Sequence, residues 1–439
     1  MTQSRRAGCP PPTSHKPQLK LMLISASFML ALMVHAPDSF GMTVTEAVNQ
    51  GLAVHPKVAS VEAELNAATT DIAIARDGYF PNVQASVGPE NSLWGDIGWN
   101  VTASQMLFDW GRVKARVNEA SARERELYHR LKLTSEEAAL EIAEVYLDVL
   151  LFEARIEAAD RYISRLTTLS EMTSDRSQGG FSDRSEAERA RLELARANEQ
   201  RSIEYGSLLQ ARANFRELIG APPLSLIWPQ GLDWDFKRYS PEAFAPELTD
   251  APSYQQAQAQ VEVAEASRAE SKAALKPRLN LEGSLMRRNI GGHMETDSVV
   301  SLTLRMDAMQ GLSSWRRVDA AMSREQAARW NQLAAERDLR RELNDYAELN
   351  DVVTWRQRSL EEQLINVRDV AEAYQEQFEI GHRGIDDLLP IQRELFEAER
   401  LREELRSQSL RMQYRSARQL GHLGKLLNDR NQGGDQDAR

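Results

Sequence analysis

The chain has 439 residues, 42% of them apolar, with 54 basic and 65 acidic side chains and a net charge of −11. That balance argues against nucleic acid or an anionic membrane surface as the main partner, and a single cysteine, Cys9, excludes a disulfide framework and any cysteine-based metal site. With 23 glycines and 16 prolines against abundant Ala, Glu, Arg and Leu, the composition favours long helices.

A basic stretch (Arg5, Arg6, Lys16, Lys20) leads into LMLISASFMLALMVHA, residues 21–36. This run is apolar, uncharged and shorter than the ~20 residues of a spanning helix. Residues 1–41 therefore read as a signal peptide, cleaved after Ala36 or near Gly41, with a retained anchor as the alternative. Cys9 precedes the apolar run, so it is not placed for lipidation. The rest of the chain has no apolar run long enough for a spanning helix, so any membrane part must be made of strands.

The remainder reads as two copies of one plan. Pro56 and Pro81 recur as Pro252 and Pro277 at an offset of 196, while Val117, Gly180, Ala197 and Gly220 recur as Val318, Gly381, Ala398 and Gly421 at an offset of 201. The five-residue step must lie between Pro81 and Val117. The domains predicted are a first repeat over 42–220, a Pro-rich connector over 221–251 packed locally by Trp228, Trp234 and Phe244, a second repeat over 252–427 and a disordered tail over 428–439.

Each repeat reads as a short helix, two strands and two long helices. NVQASVG and WNVTASQML alternate in period two. Val83, Ala85, Val87, Trp99, Val101 and Ala103 share one face, and Gln84, Ser86, Asn100, Thr102 and Ser104 the other. RLNLEGSLM and SVVSLTLRM repeat the pattern. Small apolar residues outside and polar residues inside suit a membrane barrel around water, with Trp94 and Trp99 in an aromatic girdle, although a soluble antiparallel sheet fits the alternation equally well. Four strands cannot close around a channel, so the barrel reading requires several chains.

The long helices follow. Ile142, Val145, Val149, Phe152, Ile156, Ala159, Ile163 and Leu166 step as a heptad seam, and no proline or glycine interrupts Arg112 to Arg176. After Gly179 and Gly180 a second frame runs through Ala187, Ala190, Leu194 and Ala197. It resumes at Leu208, Ala211, Phe215 and Leu218, leaving Arg201 and Glu204 as polar slots. The matching break in the second repeat, FEIGHRGIDDLLP, contains Gly381 and Gly384 and places Asp386 or Asp387 as a helix N-cap.

These features resemble the TolC-like outer-membrane efflux protein family. The residues carrying the likeness are AVNQGLAVHPKVASVEAELNAA, FPNVQAS, QMLFDWGRVKARVNEA, GGFSDRSEAERARLELARA and IGHRGIDDLLPIQRELFEAE. The resemblance implies a mainly α fold with a membrane β-barrel, built as a homotrimer. Its barrel has twelve strands, four per chain, continued by an α-helical coiled-coil tunnel in the periplasm. It also implies an outer-membrane location, contact with outer-membrane lipid, a periplasmic adaptor (membrane fusion) protein, and an inner-membrane ABC transporter or proton-driven pump. No cofactor or nucleic acid is implied.

By position, Asp387 falls on the family's periplasmic ring carboxylate, Arg383 on the arginine of an inter-hairpin lock and Glu186 near its acidic partner. The lock tyrosine is Phe378 here, and the second ring acid is Pro390, with Asp386 an adjacent carboxylate. The plainer readings are helix capping for the aspartates, a solvated pair for Arg383 and Glu186, and turns for Gly179, Gly180, Gly381 and Gly384. The wording of the first helix is similar to members serving type I secretion of proteins such as large adhesins, with multidrug efflux as the alternative. A periplasmic coiled-coil adaptor is the rival from another class. An enzyme is not expected: His15, His35, His55, His129, His293, His382 and His422 are scattered and form no helical pair.

Overall fold

The computed structural model describes residues 41–89, 97–232, 234, 236, 248–290, 293–306 and 313–427. The leader up to residue 40, Trp94, Phe244 and the tail from 428 lie outside the described residues. Helix α1 (Val44–Val54) opens with a capping box in which Thr43 and Glu46 exchange hydrogen bonds. Pro56 starts α2 (Pro56–Asp77), where a helix has no N–H bond to lose. Then come β1 (Asn82–Pro89), β2 (Ile97–Phe108), α3 (Arg112–Gln178) and α4 (Arg184–Ile219). After a 3-10 turn at Leu248–Asp250 the order repeats as α5 (Pro252–Ala273), β3 (Arg278–Ile290), β4 (His293–Arg305), α6 (Ser313–Glu379) and α7 (Ile385–Gln419).

The helices ahead of the strands, α2 and α5, have 22 residues each and are not short as expected. Both long helices, α3 and α6, have 67 residues, roughly 100 Å at 1.5 Å per residue. Strands β1 and β2 start 196 residues before their counterparts, and α3 and α4 start 201 before theirs. The five-residue step therefore enters between the second strand and the long helix of a repeat.

All four strands form one antiparallel sheet in the order β1-β2-β3-β4. The register sets Val83 opposite Ala103, Ala85 opposite Val101 and Val101 opposite Leu285, then Leu281 opposite Leu302 and Leu279 opposite Leu304. Directly opposed residues share a face, so these side chains make one apolar surface across both repeats. Much of it is uncovered, with Val87 75%, Val300 79% and Leu304 69% exposed. The other face carries Gln84, Thr102, Asn280, Glu282 and Thr303. A bulge between Met106 and Phe108 aligns Phe108 with Leu279 and returns it to the apolar face.

Helix α3 packs on α4 along one side and on α7 along another, so it buries a wider surface than one heptad seam. Ile142, Val149, Ala159 and Leu166 are fully covered, as are Tyr146, Leu147 and Ala143, which lie off that seam. The polar slots of α4 hold ion pairs. Buried Glu204 receives Arg155 and Arg400 at 3.7 and 3.5 Å, and Arg201 pairs with Asp160. Described parts of the connector pack on the helices, Leu232 in the main core cluster and Leu248 against Leu339 and Leu343. The Tyr146 hydroxyl oxygen lies 2.8 and 2.6 Å from the carbonyls of Met42 and Ile227, which share its single proton, and accepts from the Ile227 N–H, while Trp234 donates to Ser416 at 3.0 Å. Among the described residues no helix is long and apolar enough to cross a membrane.

Glu136 of α3 accepts the N–H groups of Leu423 and Gly424 at 3.0 and 3.2 Å, anchoring the helical turn at residues 423–427. Burial pushes its carboxyl from 4.5 up to about 6, against those N–H groups and Arg418. The folded state therefore holds the proton more tightly than the unfolded chain between these values. The stability this group adds is full below about pH 4.5 and is lost as pH rises through about 6, a difference of about 2 kcal/mol. Glu136→Gln should flatten the pH dependence of thermal unfolding in this window. An unchanged slope would remove Glu136 as its source.

Candidate functional site at the hairpin tips

The two tips per chain are built alike. At the end of α3 the Phe181 N–H donates to Arg176 O and the Gly180 N–H to Ser177 O. At the end of α6 the His382 N–H donates to Gln377 O and the Gly381 N–H to Phe378 O. Each is a Schellman motif, which needs a left-handed residue, and Gly180 and Gly381 supply φ of 75° and 78°. Gly179 is an ordinary right-handed helix end, and Gly384 is extended.

Helix α4 is capped by Asp183, whose side chain accepts from the Ser185 N–H. Helix α7 has Gly384 as its N-cap, with no side-chain cap bond. The expectation that Asp386 or Asp387 caps α7 is therefore corrected. Both stand inside the first turn, where their charges face the positive end of the helix rather than closing it. Pro390 sits inside α7 and lacks the N–H that the Asp386 carbonyl would otherwise receive.

Arg383 does not meet Glu186 within one chain; Glu186 stays in the first turn of α4. Arg383 lies 3.6 Å from the centre of the Tyr374 ring, donates to Gln377 at 2.9 Å and reaches Asp387 at 3.3 Å, all within its own hairpin. Phe378 is fully buried against Ile385 and Leu388, under the guanidinium of Arg176. Links between the hairpins come from residues that sequence reasoning passed over. Arg176 donates to the carbonyls of Phe378 and Glu379, and Arg189 of α4 pairs with Asp386.

Farther from the tip, Glu193 of α4 is the centre of a denser contact. Arg393 of α7 grips its carboxylate at 2.6 and 2.8 Å, Tyr162 of α3 donates to it at 2.9 Å and Arg196 lies at 3.4 Å. The Tyr162 ring stacks flat on Phe396, centroids 4.7 Å apart. Burial alone would raise the Glu193 carboxyl, but hydrogen bonds from Arg393 and Tyr162 and the charges of Arg393 and Arg196 outweigh it and hold it below the ordinary range. Burial and the adjacent Glu193 raise the Tyr162 hydroxyl instead, so it remains a donor. Among the described residues no cluster of His, Cys, Asp or Glu could hold a metal ion.

Each repeat is a strand pair and a long helical hairpin, and the two strand pairs join in one sheet with a bare apolar face. Residues 47–221 match the model of the outer membrane efflux protein family. No curated protein sequence matches the chain. Three solved channels share its fold. The CmeC outer membrane channel of Campylobacter jejuni has a TM-score of 0.74 at 11% identity, over 86% of its length and 87% of this chain. For the outer membrane protein VceC of Vibrio cholerae the values are 0.73, 13%, 96% and 86%. For the open-state MtrE outer membrane channel of Neisseria gonorrhoeae they are 0.70, 17%, 89% and 87%. The chain shares the fold of these channels, and within it residues 47–221 are similar to the outer membrane efflux protein family.

Removing Arg393 leaves a nearly buried carboxylate with weaker partners, so Arg393→Gln should destabilise the hairpin pair by up to about 3 kcal/mol. Arg189→Gln breaks an exposed pair and should change stability by less than about 1 kcal/mol. Amide exchange in α4 and α7 measures both; equal effects would contradict this ranking.

Proposed function

We propose that three copies of this chain close a twelve-stranded barrel in the outer membrane and continue it as a helical tunnel into the periplasm. The observation that carries this is the open sheet. Its apolar face is uncovered, and β1 and β4 are edges, which lipid does not tolerate. Two copies would give eight strands, which side chains fill, while three leave room for a water-filled lumen lined by the Gln84, Thr102 and Asn280 face.

The six tips then converge at the periplasmic entrance, where a periplasmic adaptor and an inner-membrane transporter deliver cargo and supply the energy. Asp386 and Asp387, in three copies, form a ring attractive to cations, and Arg383 and Glu186 of neighbouring copies are the lock. Contact with outer-membrane lipid follows from the apolar face, and 1–41 acts as the export signal. The cargo we propose is protein, such as a large adhesin passed on by an ABC transporter, supported by the wording of the first helix. Small-molecule efflux driven by a proton-coupled pump is the second reading, favoured by the match to an efflux family.

In planar bilayers the protein should form cation-preferring pores, and Asp386→Asn with Asp387→Asn should lower that preference severalfold. A monomer that stays soluble without detergent and forms no pores would sink the channel reading. Unchanged selectivity in the double variant would remove the aspartates from the gate.

A further inference from the structure

Only nine of the 54 basic residues are lysines, and three of those nine line one groove. Between the start of α3 and the end of α5 lies a concavity of about 340 Å³ bounded by Trp110, Lys114, Asn118, Lys272 and Lys276, with alanines and Gly111 as its floor. Its lining holds three cations and no acid, in a chain whose net charge is −11. Lys272 alone is accounted for by the negative end of α5. Lys114 stands in the first turn of α3, where a cation opposes the helix dipole.

Trp110 fixes the place of this groove. Its backbone is left-handed, at φ 57°, uncommon for a bulky residue, and Asp109 braces the turn by accepting the N–H groups of Gly111 and Val113 at 2.9 and 2.6 Å. The Trp110 ring, half exposed, meets Phe108 edge-on at 4.8 Å, and the Lys276 ammonium lies 5.8 Å from its centre. Phe108 belongs to the apolar face of the sheet, so the groove opens where that face ends. An amphipathic indole beside lysines at the edge of an apolar band is the arrangement that meets lipid headgroups.

We infer that this groove binds the phosphate of a phospholipid headgroup, with its acyl chains lying on the apolar strand face. The inference rests on the proposed barrel, because only there does that face meet lipid. The lysines supply the charge, and Trp110 supplies the boundary between headgroup and chain.

The test is a titration of the full-length protein in neutral detergent with dioctanoyl phosphatidylglycerol, followed by native mass spectrometry and melting temperature. Wild type should bind saturably and melt higher. The triple variant Lys114→Gln, Lys272→Gln, Lys276→Gln should bind about tenfold more weakly or worse. Trp110→Phe, which keeps an aromatic ring, should weaken binding less than the triple variant. Equal binding by the triple variant, or by dioctanoylglycerol lacking the phosphate, would overturn the assignment. So would equal stabilisation by inorganic phosphate, which would make it a site for the free anion. Bilayer conductance on the same preparations separates the two ideas. Pores without lipid binding count against the groove alone, and lipid binding without pores counts against the barrel.

Discussion

A sheet of four strands has two edges, and a membrane tolerates neither. This constraint organises the rest of the molecule. The apolar face unites strands from both repeats, because Ala103 of β2 meets Gly283 of β3 just as Ala85 meets Val101 within the first repeat. Each repeat alone would contribute a two-stranded ribbon, marginal by itself. Duplication thus produces a four-stranded sheet whose two edges stay open within one chain. The helices inherit this incompleteness, and α6 carries exposed Trp315, Trp330, Leu333 and Trp355 along its length.

Buried apolar clusters hold the helices of one chain together, and a set of ion pairs runs between its hairpins. Arg155 meets Glu404, and seven residues down α3 and up α7 Asp148 meets Arg411. Four further, Glu144 meets Arg415. The steps run in opposite directions, as they must for antiparallel helices in a fixed register. Each pair keeps part of its charge in water, so it costs little desolvation and adds little energy. Together they select one register from the many that an alanine- and leucine-rich seam would accept.

Much of this was legible because glycines and prolines mark backbone events that other residues cannot supply. The offsets of 196 and 201 reappear in strand and helix starts, and Gly180 and Gly381 take the same left-handed turn. The strand faces were legible for the same local reason, since alternation is a property of successive residues. The tip chemistry was not. Asp386 meets Arg189, 197 residues away, and nothing along the chain distinguishes that arginine from Arg184 or Arg191 beside it. Glu193 and Arg393 were hidden among charges that read as a solvated face. A search for opposite charges stepping in the same direction along α4 and α7 would have brought them forward, since Arg189, Glu193 and Glu204 meet Asp386, Arg393 and Arg400 in ascending order. The N-cap at Gly384 was missed because an aspartate beside a break normally outranks a glycine as a cap. Here the hydrophobic contacts of Ile385 and Leu388 with Phe378 start the helix earlier.

The two kinds of inter-hairpin contact differ in where their energy lies. At the tip, Arg189 and Asp386 are both more than half exposed, and salt screens such a pair. Nine residues into α4, roughly 14 Å from its start, Glu193 is 7% exposed and bound by a forked guanidinium and a phenol. The free energy of holding the hairpins together therefore rises from tip to node. Separation of the tips costs one exposed pair and the Arg176 contacts to two carbonyls, whereas separation beyond Glu193 strands a buried charge. In the proposed trimer, local parting of the last turns is therefore the cheaper motion, with the node as its fixed point.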